Sequence, residues 1–560
     1  MKKISLITSG LIALSALNIS VSYADTIVNK SPFYFNLKSS SGTCPQQIAP
    51  GQSAQVSGYC GYLVCATNQY DANGGCQELV GDGSGKLTAG GYLSYVSVST
   101  WAKQCTIGAS WFPYQCELDA TGNMNISYKT MTQVYSAGPN AGQPVTLPKV
   151  ATYNSGVAFR GINVSGLEYD GTFLDALFQH PDLPDVRYFA AQGMNMVRLP
   201  MRWEYLLSDA HNAVESHDPK SGTINQMYLD AVYDTVQKYL SSGLNVDLDL
   251  HNYMRFCATG TSVGQGNEPT NAGTAGNQCQ LVTADQLASI WNMVATKFAP
   301  LAKQYPKQLV FELMNEPFSI DNIPAQQLKV EDLFTAEVGA IKAIRNQGIT
   351  NLILLSGDYW DPLHGWVTES PSAADLPNGS VFTAANLASA GVSDLSNIAI
   401  DMHQYFDSNW SGTHSVCQQF SSYAEFEQKL ALTDAKGTDV FGNWLKTNSM
   451  KVFLGEFGAA DNATCSQDMN YMLQYVNEHA YNPQNPVNGG FIGWTTWRAN
   501  KHGYTGFGAF NFLQAEDDNV YGGNGTPQYT QGYGIAPGQG NNLMTEVLSK
   551  YLQPSASLSK

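Results

Sequence analysis

The chain has 560 residues, of which 43% are hydrophobic and 13% charged, a composition typical of globular rather than disordered proteins. This length exceeds the usual size of one hydrophobic core, so more than one domain is expected. The formal net charge of −17 argues against nucleic-acid or anionic-membrane partners, which bind clustered Lys and Arg, and favours a neutral substrate.

The first 24 residues have the pattern of a secretory signal peptide. Lys2 and Lys3 precede an apolar run over residues 4–19, and small residues lead to Ala24, after which we expect cleavage. A retained membrane anchor is the alternative, but the run is short for a bilayer and is interrupted by polar residues. The sequence therefore predicts a secreted protein without a membrane anchor.

Six of the ten cysteines lie before residue 120: Cys44, Cys60, Cys65, Cys76, Cys105 and Cys116. Export to an oxidising compartment makes disulfide bonds the default, and six cysteines allow fifteen pairings, so their connectivity stays open. The spacing lacks the paired C-x2-C pattern of a zinc site. We expect neither a metal site nor a cofactor.

Short alternating apolar stretches, at residues 33–37 and 92–98, accompany this cysteine group and predict a small disulfide-rich all-β domain over residues 25–135. Gly and Pro then mark a linker over residues 136–149. The aromatic residues of this domain could bind polysaccharide or form the core of a spacer, and both roles are open.

From residue 150 on, short apolar runs alternate with helical stretches, including helices predicted at residues 227–240, 286–305 and 541–552. This alternation predicts a (β/α)8 barrel catalytic domain over residues 150–560. A doubly wound open sheet is the rival fold, but no Gly-rich phosphate-binding turn follows the first strand. The eight predicted strands are residues 157–164, 194–199, 244–250, 308–314, 351–355, 397–402, 451–454 and 490–494.

Polar or aromatic residues follow most of these strands, where the catalytic side chains of barrel enzymes lie. Any one of them has a structural explanation: a carboxylate can cap a helix, an arginine can form an ion pair, and a tryptophan can fill the barrel top. Their joint placement at equivalent strand ends favours an active site. The residues are Arg198, His251, Asn315, Glu316, Trp360, His403, Tyr405, Glu456, Trp494 and Trp497.

Two carboxylates facing each other across an apolar cleft suit acetal hydrolysis, which needs a proton donor for the leaving oxygen and a carboxylate for the anomeric carbon. Glu316 and Glu456 are the candidates. A nearby Arg198 would keep one of them ionised, and burial would keep the other protonated. The residues alone do not say which is which.

Several motifs in register resemble glycoside hydrolase family 5, in particular its secreted endoglucanase branch, over residues 155–550: Arg198-Leu199-Pro200, His251-Asn252-Tyr253, Asn315-Glu316-Pro317, His403-Gln404-Tyr405 and Glu456-Phe457-Gly458. The resemblance implies a retaining hydrolase in which Glu316 is the acid/base and Glu456 the nucleophile, with carboxyl groups about 5 to 5.5 Å apart.

The resemblance also implies the roles of the neighbouring residues. Asn315 would bind the sugar 2-hydroxyl, Arg198 and Tyr405 would orient Glu456, and His403 would lie beside Glu316. His251 would line the glycone side, and Trp494 would stack under a glucosyl ring. Trp497 is a further candidate for substrate binding. Trp360 is a candidate stacking platform that could equally fill the core.

Two segments depart from the resemblance, and both would overhang the cleft. The loop over residues 256–281 is long and is bracketed by Cys257 and Cys279, a plausible disulfide pair. The Gly-, Asn- and Tyr-rich segment 498–540 follows strand eight.

The expected activity is endo-β-1,4-glucanase, acting as a monomer on a β-glucan polysaccharide. A mannanase, xyloglucanase or β-glucosidase would use the same fold and acid pair. A sugar-binding protein without activity is the non-enzymatic alternative. A serine hydrolase is disfavoured because no G-x-S-x-G motif follows a strand.

Overall fold

The structure is a computed structural model, and it describes residues 25–31, 34–64, 80–81, 87–88, 94–100, 102–107, 114–120, 123–128, 146–154, 156–168, 181, 183–208, 223–257, 279–319, 327–370, 375–460, 462–500, 513–514 and 543–552. The predicted signal segment, most of the predicted linker and most of the two atypical loops lie outside these residues. The described chain forms two compact units, one with residues 25–64 and 94–128 and the other with the residues from 146 on.

The N-terminal unit is an eight-stranded, mainly antiparallel sheet. Alternate residues such as Ile27, Val56 and Val96 are buried, as the period of two in the sequence predicts. The bonds Cys44–Cys60 and Cys105–Cys116 answer part of the open connectivity. The strands are Asp25–Asn29, Phe35–Thr43, Gln47–Ile48, Ser53–Val64, Ser94–Ser99, Gln104–Ile107, Tyr114–Leu118 and Met124–Tyr128.

This unit confirms the predicted all-β, disulfide-containing N-terminal region. The boundaries at residues 25–135 and 136–149 stay predictions. A two-residue strand pair, Val80–Gly81 with Leu87–Thr88, lies between the two groups of strands in the sequence.

The second unit is a closed barrel of eight parallel strands, which confirms the predicted (β/α)8 fold. Each strand pairs with the next in chain order, and β1 pairs with β8 to close the barrel. The strands are β1 Phe159–Ser165, β2 Met196–Met201, β3 Asn245–Leu250, β4 Leu309–Glu312, β5 Ile353–Leu355, β6 Ile398–Tyr405, β7 Lys451–Gly458 and β8 Gly490–Asn500. A short strand, Leu513–Gln514, also pairs with β8.

Helices surround the barrel and bury their apolar sides against it. They are α1 Leu183–Gln192, α2 Gln226–Ser241, α3 Ala284–Gln304, α4 Val330–Asn346, α5 Ala384–Ser389, α6 Val440–Asn448 and α7 Ala463–Glu478. Shorter helices are Trp203–Leu206, Asn378–Val381 and Tyr423–Lys429. None of these helices is both long and apolar enough to cross a membrane.

Local sequence explains where the predicted helices begin. Asn225 caps α2 by accepting the N–H of Tyr228, and Thr283 forms a capping box with Gln286 at the start of α3. The predicted helix over residues 541–552 is instead a π-helical turn, Leu543–Val547, followed by a 3₁₀ turn, Leu548–Tyr551.

Two layers of side chains fill the barrel. The lower layer is apolar and includes Met196, Val310, Leu354, Ala399, Phe453 and Ile492. Two positions further along the strands, on the same face, the layer turns polar and buried: Arg198, Glu312 and Asp401 follow Met196, Val310 and Ala399. The predicted site residue Arg198 therefore lies above a packed apolar layer, towards the carboxyl ends of the strands.

Candidate active site

Glu316 lies in the turn after β4, and its side chain is 16% exposed. Its backbone has φ +43°, in the left-handed region, and its N–H donates to Asp361 Oδ2 at 2.8 Å. His403 Nδ1 lies 2.8 Å from Glu316 Oε1. The carboxyl group is thus held at the barrel mouth with one oxygen engaged.

Glu456 lies within β7, where a bulge turns it inward. Met402 is the register partner of Leu454, but His403 is that of Glu456, so Gly455 is the extra residue. Without the bulge, alternation would place Glu456 on the same face as Leu454, towards the helices. A side chain at Gly455 is excluded, because its Cβ would lie 2.2 Å from Asp401 Oδ1.

Both oxygens of Glu456 accept hydrogen bonds. Arg198 Nη1 donates to Oε1 at 2.6 Å, and the Tyr405 hydroxyl donates to Oε2 at 2.8 Å. One oxygen of Glu316, one oxygen of Glu456 and a nitrogen of His403 lie within 4.8 Å of one another. The two glutamates therefore face a common space.

The two carboxyl groups differ in protonation. Burial would raise the pKa of Glu456, but the charges of His403 and Arg198 lower it to about 2. Burial raises the pKa of Glu316, the hydrogen bond to His403 lowers it in part, and the net shift is upward. Near neutral pH, Glu456 is ionised, and Glu316 is the group of the pair that retains a proton more readily.

His403 lies between both glutamates. Burial would lower its pKa, but the carboxylates of Glu456 and Asp401 raise it well above the ordinary value. Its Nε2 is 2.9 Å from Asp401 Oδ2, an ion-pair distance without hydrogen-bond geometry. A protonated imidazole here helps to keep Glu456 ionised.

Arg198 is fully buried and joins several elements. Besides Glu456, its guanidinium group binds Glu312 in a bidentate pair and lies 3.1 Å from Asp249. It also donates hydrogen bonds to the side-chain oxygens of Asn163 and Asn315. Glu312, Asp249 and Asn163 were not among the residues predicted from the sequence. Acidic residues within otherwise apolar strands, such as Asp249 in β3, were the signal that could have revealed them.

His251 and Trp497 form a stacked pair, with ring centroids 5.5 Å apart and planes at 7°. His251 Nδ1 lies 2.6 Å from Asp249 Oδ2, and the Tyr253 hydroxyl lies 3.2 Å from Nε2. Trp497 is partly exposed near the end of β8. Both rings lie at or near the carboxyl ends of their strands, and their contact with a sugar stays a prediction.

The prediction that Trp494 contacts a sugar is corrected. Trp494 is fully buried, and its ring packs edge-on against Phe457 in the core between barrel and helices. The physical reason is a register shift of β8 against β7 at Ile492, after which Trp494 lies on the outer face of the strand rather than inside the barrel with Ile492.

Trp360 is 38% exposed in the loop after β5, so it does not simply fill the core. Its ring stacks on Phe318, with centroids 4.7 Å apart and planes at 15°, and Tyr359 packs against its edge. These three rings form an aromatic cluster beside the turn that carries Glu316.

Cys257 and Cys279 lie directly opposite each other in a two-stranded pairing, Arg255–Cys257 with Cys279–Leu281. Their disulfide bond stays a prediction. A further bond, Cys417–Cys465, ties the loop after β6 to the first turn of α7.

Two groups of described side chains offer three ligand atoms within 4.8 Å of one another: Glu312, Asp401 and His403, and Glu316, His403 and Glu456. Both groups include His403, so a cation at either one would first require loss of the proton from its imidazole. The second group is the glutamate pair itself, so a metal ion there would compete with a substrate for the same carboxylates.

The profile of the family "Cellulase (glycosyl hydrolase family 5)" matches residues 154–503. Endoglucanase EG-II of Hypocrea jecorina is 28% identical over 363 residues, 61% of this chain and 70% of that protein. The manganese dependent endoglucanase Eg5A of Phanerodontia chrysosporium is 28% identical over 340 residues, 60% and 71%. A triple mutant of the endo-beta-1,4-glucanase Xac0030 from Xanthomonas axonopodis pv. citri has TM-score 0.47 and 25% identity, over 70% of this chain and 98% of that one.

The matched residues span the barrel from before β1 to beyond β8 and include both glutamates. The chain therefore belongs to glycosyl hydrolase family 5 and is a glycoside hydrolase.

Proposed function

We propose that the chain is a retaining endo-β-1,4-glucanase that uses Glu316 as acid/base and Glu456 as nucleophile. The observation that carries the proposal is the pair itself: carboxylate oxygens within 4.8 Å of each other and pKa values shifted in opposite directions. Retaining glycosidases hold their carboxyl groups about 5 to 5.5 Å apart, whereas inverting enzymes leave room for a water, at about 6.5–9.5 Å.

In the first step, an oxygen of Glu456 attacks the anomeric carbon, and Glu316 gives its proton to the departing glycosidic oxygen. In the second, Glu316 accepts a proton from water, and that water attacks the anomeric carbon and releases Glu456. Arg198 and Tyr405 orient the attacking carboxylate through their bonds to its two oxygens.

Asn315 is placed to bind the sugar at the cleavage point. Its Oδ1 accepts from Arg198 Nη2, which fixes the orientation of the amide. Its buried Nδ2 has no hydrogen-bond partner within the described part of the chain. A buried donor of this kind favours a ligand oxygen, and we assign it to the 2-hydroxyl.

The aromatic residues suggest the course of the glucan chain. Glu316 protonates the leaving group, so the cluster of Trp360, Phe318 and Tyr359 beside it lies on the leaving-group side. The pair of Trp497 and His251 belongs to the glycone side. Aromatic faces suit the apolar faces of glucosyl rings.

A β-1,4-glucan is the substrate that the family membership and the named relatives support, because the curated relatives are endoglucanases. Reducing-sugar release should be fastest on carboxymethylcellulose, compared with mannan, xyloglucan and an aryl β-glucoside. Faster hydrolysis of one of the other substrates would replace the assignment by the corresponding alternative. Binding of cellulose without any hydrolysis would indicate a sugar-binding protein.

The roles of the two glutamates can be separated with azide and an activated aryl cellobioside. Glu316→Ala should form the β-glycosyl azide, because azide replaces the water of the second step. Glu456→Ala should form the α-glycosyl azide, because azide attacks from the side that the nucleophile occupied. Interchanged products would reverse the roles, and full activity in either variant would refute the pair.

We also propose that the protein is secreted. Secretion is supported by the signal-like first 24 residues and by three disulfide bonds, which persist in oxidising compartments. N-terminal sequencing of the exported protein should begin at Asp25. We also propose a monomer, which sedimentation equilibrium tests, and activity without a metal cofactor, which should survive EDTA.

A further inference from the structure

The backbone of Glu316 requires support from outside its own turn. A glutamate with φ +43° occupies a strained backbone region that residues other than Gly, Asn and Asp seldom adopt. Such a conformation persists only where neighbouring groups fix it. The neighbour here is Asp361, whose Oδ2 accepts the Glu316 N–H at 2.8 Å.

Asp361 belongs to the loop after β5, which is itself unusual. Tyr359, Trp360 and Asp361 have successive φ values of +72°, +64° and +51°. Asp361 is fully buried, and its Oδ1 accepts the N–H of Gly357. The Asp361 carboxylate thus accepts one hydrogen bond from within its own loop and one from the turn that carries Glu316.

The backbone of the same loop adds further bonds. The Trp360 N–H donates to the carbonyl of Pro317 at 3.0 Å, and Asp361 accepts the N–H of His403 at 2.7 Å through its own carbonyl. His403 in turn lies against Glu316 Oε1. The loop therefore binds the backbone of the turn that carries Glu316, and it positions His403, which contacts the Glu316 carboxyl group.

We propose that Asp361 is a positioning residue for proton donation, which holds Glu316 in line with the leaving oxygen and links it to the aromatic cluster that contains Trp360. The inference rests on the proposed function and deepens it. Asp361 does not contact the reacting atoms. It acts through the backbone of Glu316.

Asn is the informative replacement. It tolerates the left-handed backbone at this position. The Glu316 and Gly357 N–H groups bind different oxygens of Asp361, and in Asn one of these oxygens is replaced by an NH2 group that cannot accept a hydrogen bond. Asp358→Asn is the matched control from the same loop, because Asp358 is also buried but its Oδ1 accepts the N–H of Tyr359.

The test compares kcat/KM on cellotetraose, whose sugar leaving group needs a proton, with 2,4-dinitrophenyl β-cellobioside, whose leaving group does not. Asp361→Asn should lower kcat/KM on cellotetraose by at least about tenfold, but by less than the 10²–10⁴-fold that a positioned acid contributes. Its kcat/KM on the aryl substrate should stay within about twofold of the wild-type value. Asp358→Asn should change the ratio of the two values by less than about twofold.

An equal loss on both substrates would show a merely structural role, and no loss would show that the bond is dispensable; both overturn the inference. If Asp361→Asn does not fold, as judged by circular dichroism, Asp361→Ser gives the same comparison in a smaller side chain. Glu316→Ala distinguishes a failure of the positioning role of Asp361 from a failure of the acid role of Glu316. If it shows the selective loss and Asp361→Asn does not, only the positioning role fails; without selectivity in Glu316→Ala, the acid assignment fails.

Discussion

Tyr405 donates a hydrogen bond to Glu456 Oε2, and such a bond favours the ionised carboxylate. Tyr405→Phe should therefore raise the pKa of Glu456 from about 2, so that the acidic limb of kcat/KM moves to higher pH. A hydrogen bond to a charged group is worth about 1.5–3 kcal/mol, which corresponds to a shift of about one unit or more. A pH profile of the purified variant measures it.

The matched control is Tyr253→Phe, which removes a hydroxyl from the same cleft at 3.2 Å from His251 Nε2. Its acidic limb should coincide with that of wild type. If Tyr405→Phe leaves the limb in place, the hydroxyl does not act on the ionisation of Glu456.

Arg198 supports the fold as well as the site, because it is the cation that binds Glu456 and Glu312 inside the barrel. Arg198→Met would leave these carboxylates buried without their partner, which typically costs about 3–5 kcal/mol in the free energy of unfolding. Urea unfolding at neutral pH measures the loss. It should be smaller at low pH, where protonation removes the unpaired charge.

Arg345→Met is a suitable comparison, since this arginine donates to backbone carbonyls, those of Ile349 and Asn351 among them. Its cost should be lower than that of Arg198→Met and should depend less on pH. Equal costs and equal pH dependence would mean that packing, rather than charge, is what Arg198 contributes.

At the scale of elements, the sequence located all eight barrel strands and the carboxyl ends of β3 and β5, but not those of β6, β7 and β8. Alternation in 451–454 continues through Gly455 and would turn Glu456 outwards, and only the bulge against β6 brings it into the barrel. Strand β8 likewise continues past Trp494 to Asn500. Bulges and strand ends depend on neighbouring strands, so the pattern of one strand does not contain them.

The conformation of the loop after β5 could not be predicted from the sequence either, for a different reason. The sequence indicated Trp360 as a candidate stacking platform. It did not indicate that Asp361 contacts Glu316, because that contact depends on three consecutive residues with left-handed backbones. No local sequence signal specifies such a run, since Tyr359 and Trp360 are residue types that rarely adopt it.

Two glycines test the packing of particular elements. A Cβ at Gly455 would meet both oxygens of Asp401, at 2.2 and 2.6 Å, so Gly455→Ala should cost at least about 1–3 kcal/mol in unfolding free energy. A Cβ at Gly339 in α4 would meet Ala288 Cβ at 3.7 Å, an ordinary contact. Gly339→Ala should therefore stabilise by about 0.5–1 kcal/mol through helix propensity.

Urea unfolding of both variants provides the comparison, and the two changes should have opposite signs. A Gly455→Ala protein as stable as wild type would mean that β6 and β7 can separate without cost. A destabilised Gly339→Ala protein would mean that α3 and α4 pack more tightly than these distances indicate.

At the scale of the whole molecule, buried carboxyl groups should make stability depend on pH in both directions. Burial raises the pKa of Asp401 to about 7 and that of Asp468 to about 8, from 3.8. Their contribution is fully present below the unfolded pKa and is lost as pH rises through these values. The pKa of Glu456, lowered from 4.5 to about 2, gives a contribution that is present above 4.5 and is lost as pH falls through 2.

The melting temperature of the barrel should therefore be highest at about pH 4–5 and fall on both sides. Calorimetry from pH 2 to 9 on the full chain tests this. Asp401→Asn and Asp468→Asn should each reduce the fall between about pH 5 and 8, because a neutral amide has no proton to lose, whereas the exposed Asp332→Asn should follow wild type. A melting temperature that rises steadily from about pH 5 to 8 would contradict the raised pKa values of these carboxyl groups. If Asp401→Asn leaves the pH dependence of the melting temperature unchanged, Asp401 does not contribute to it.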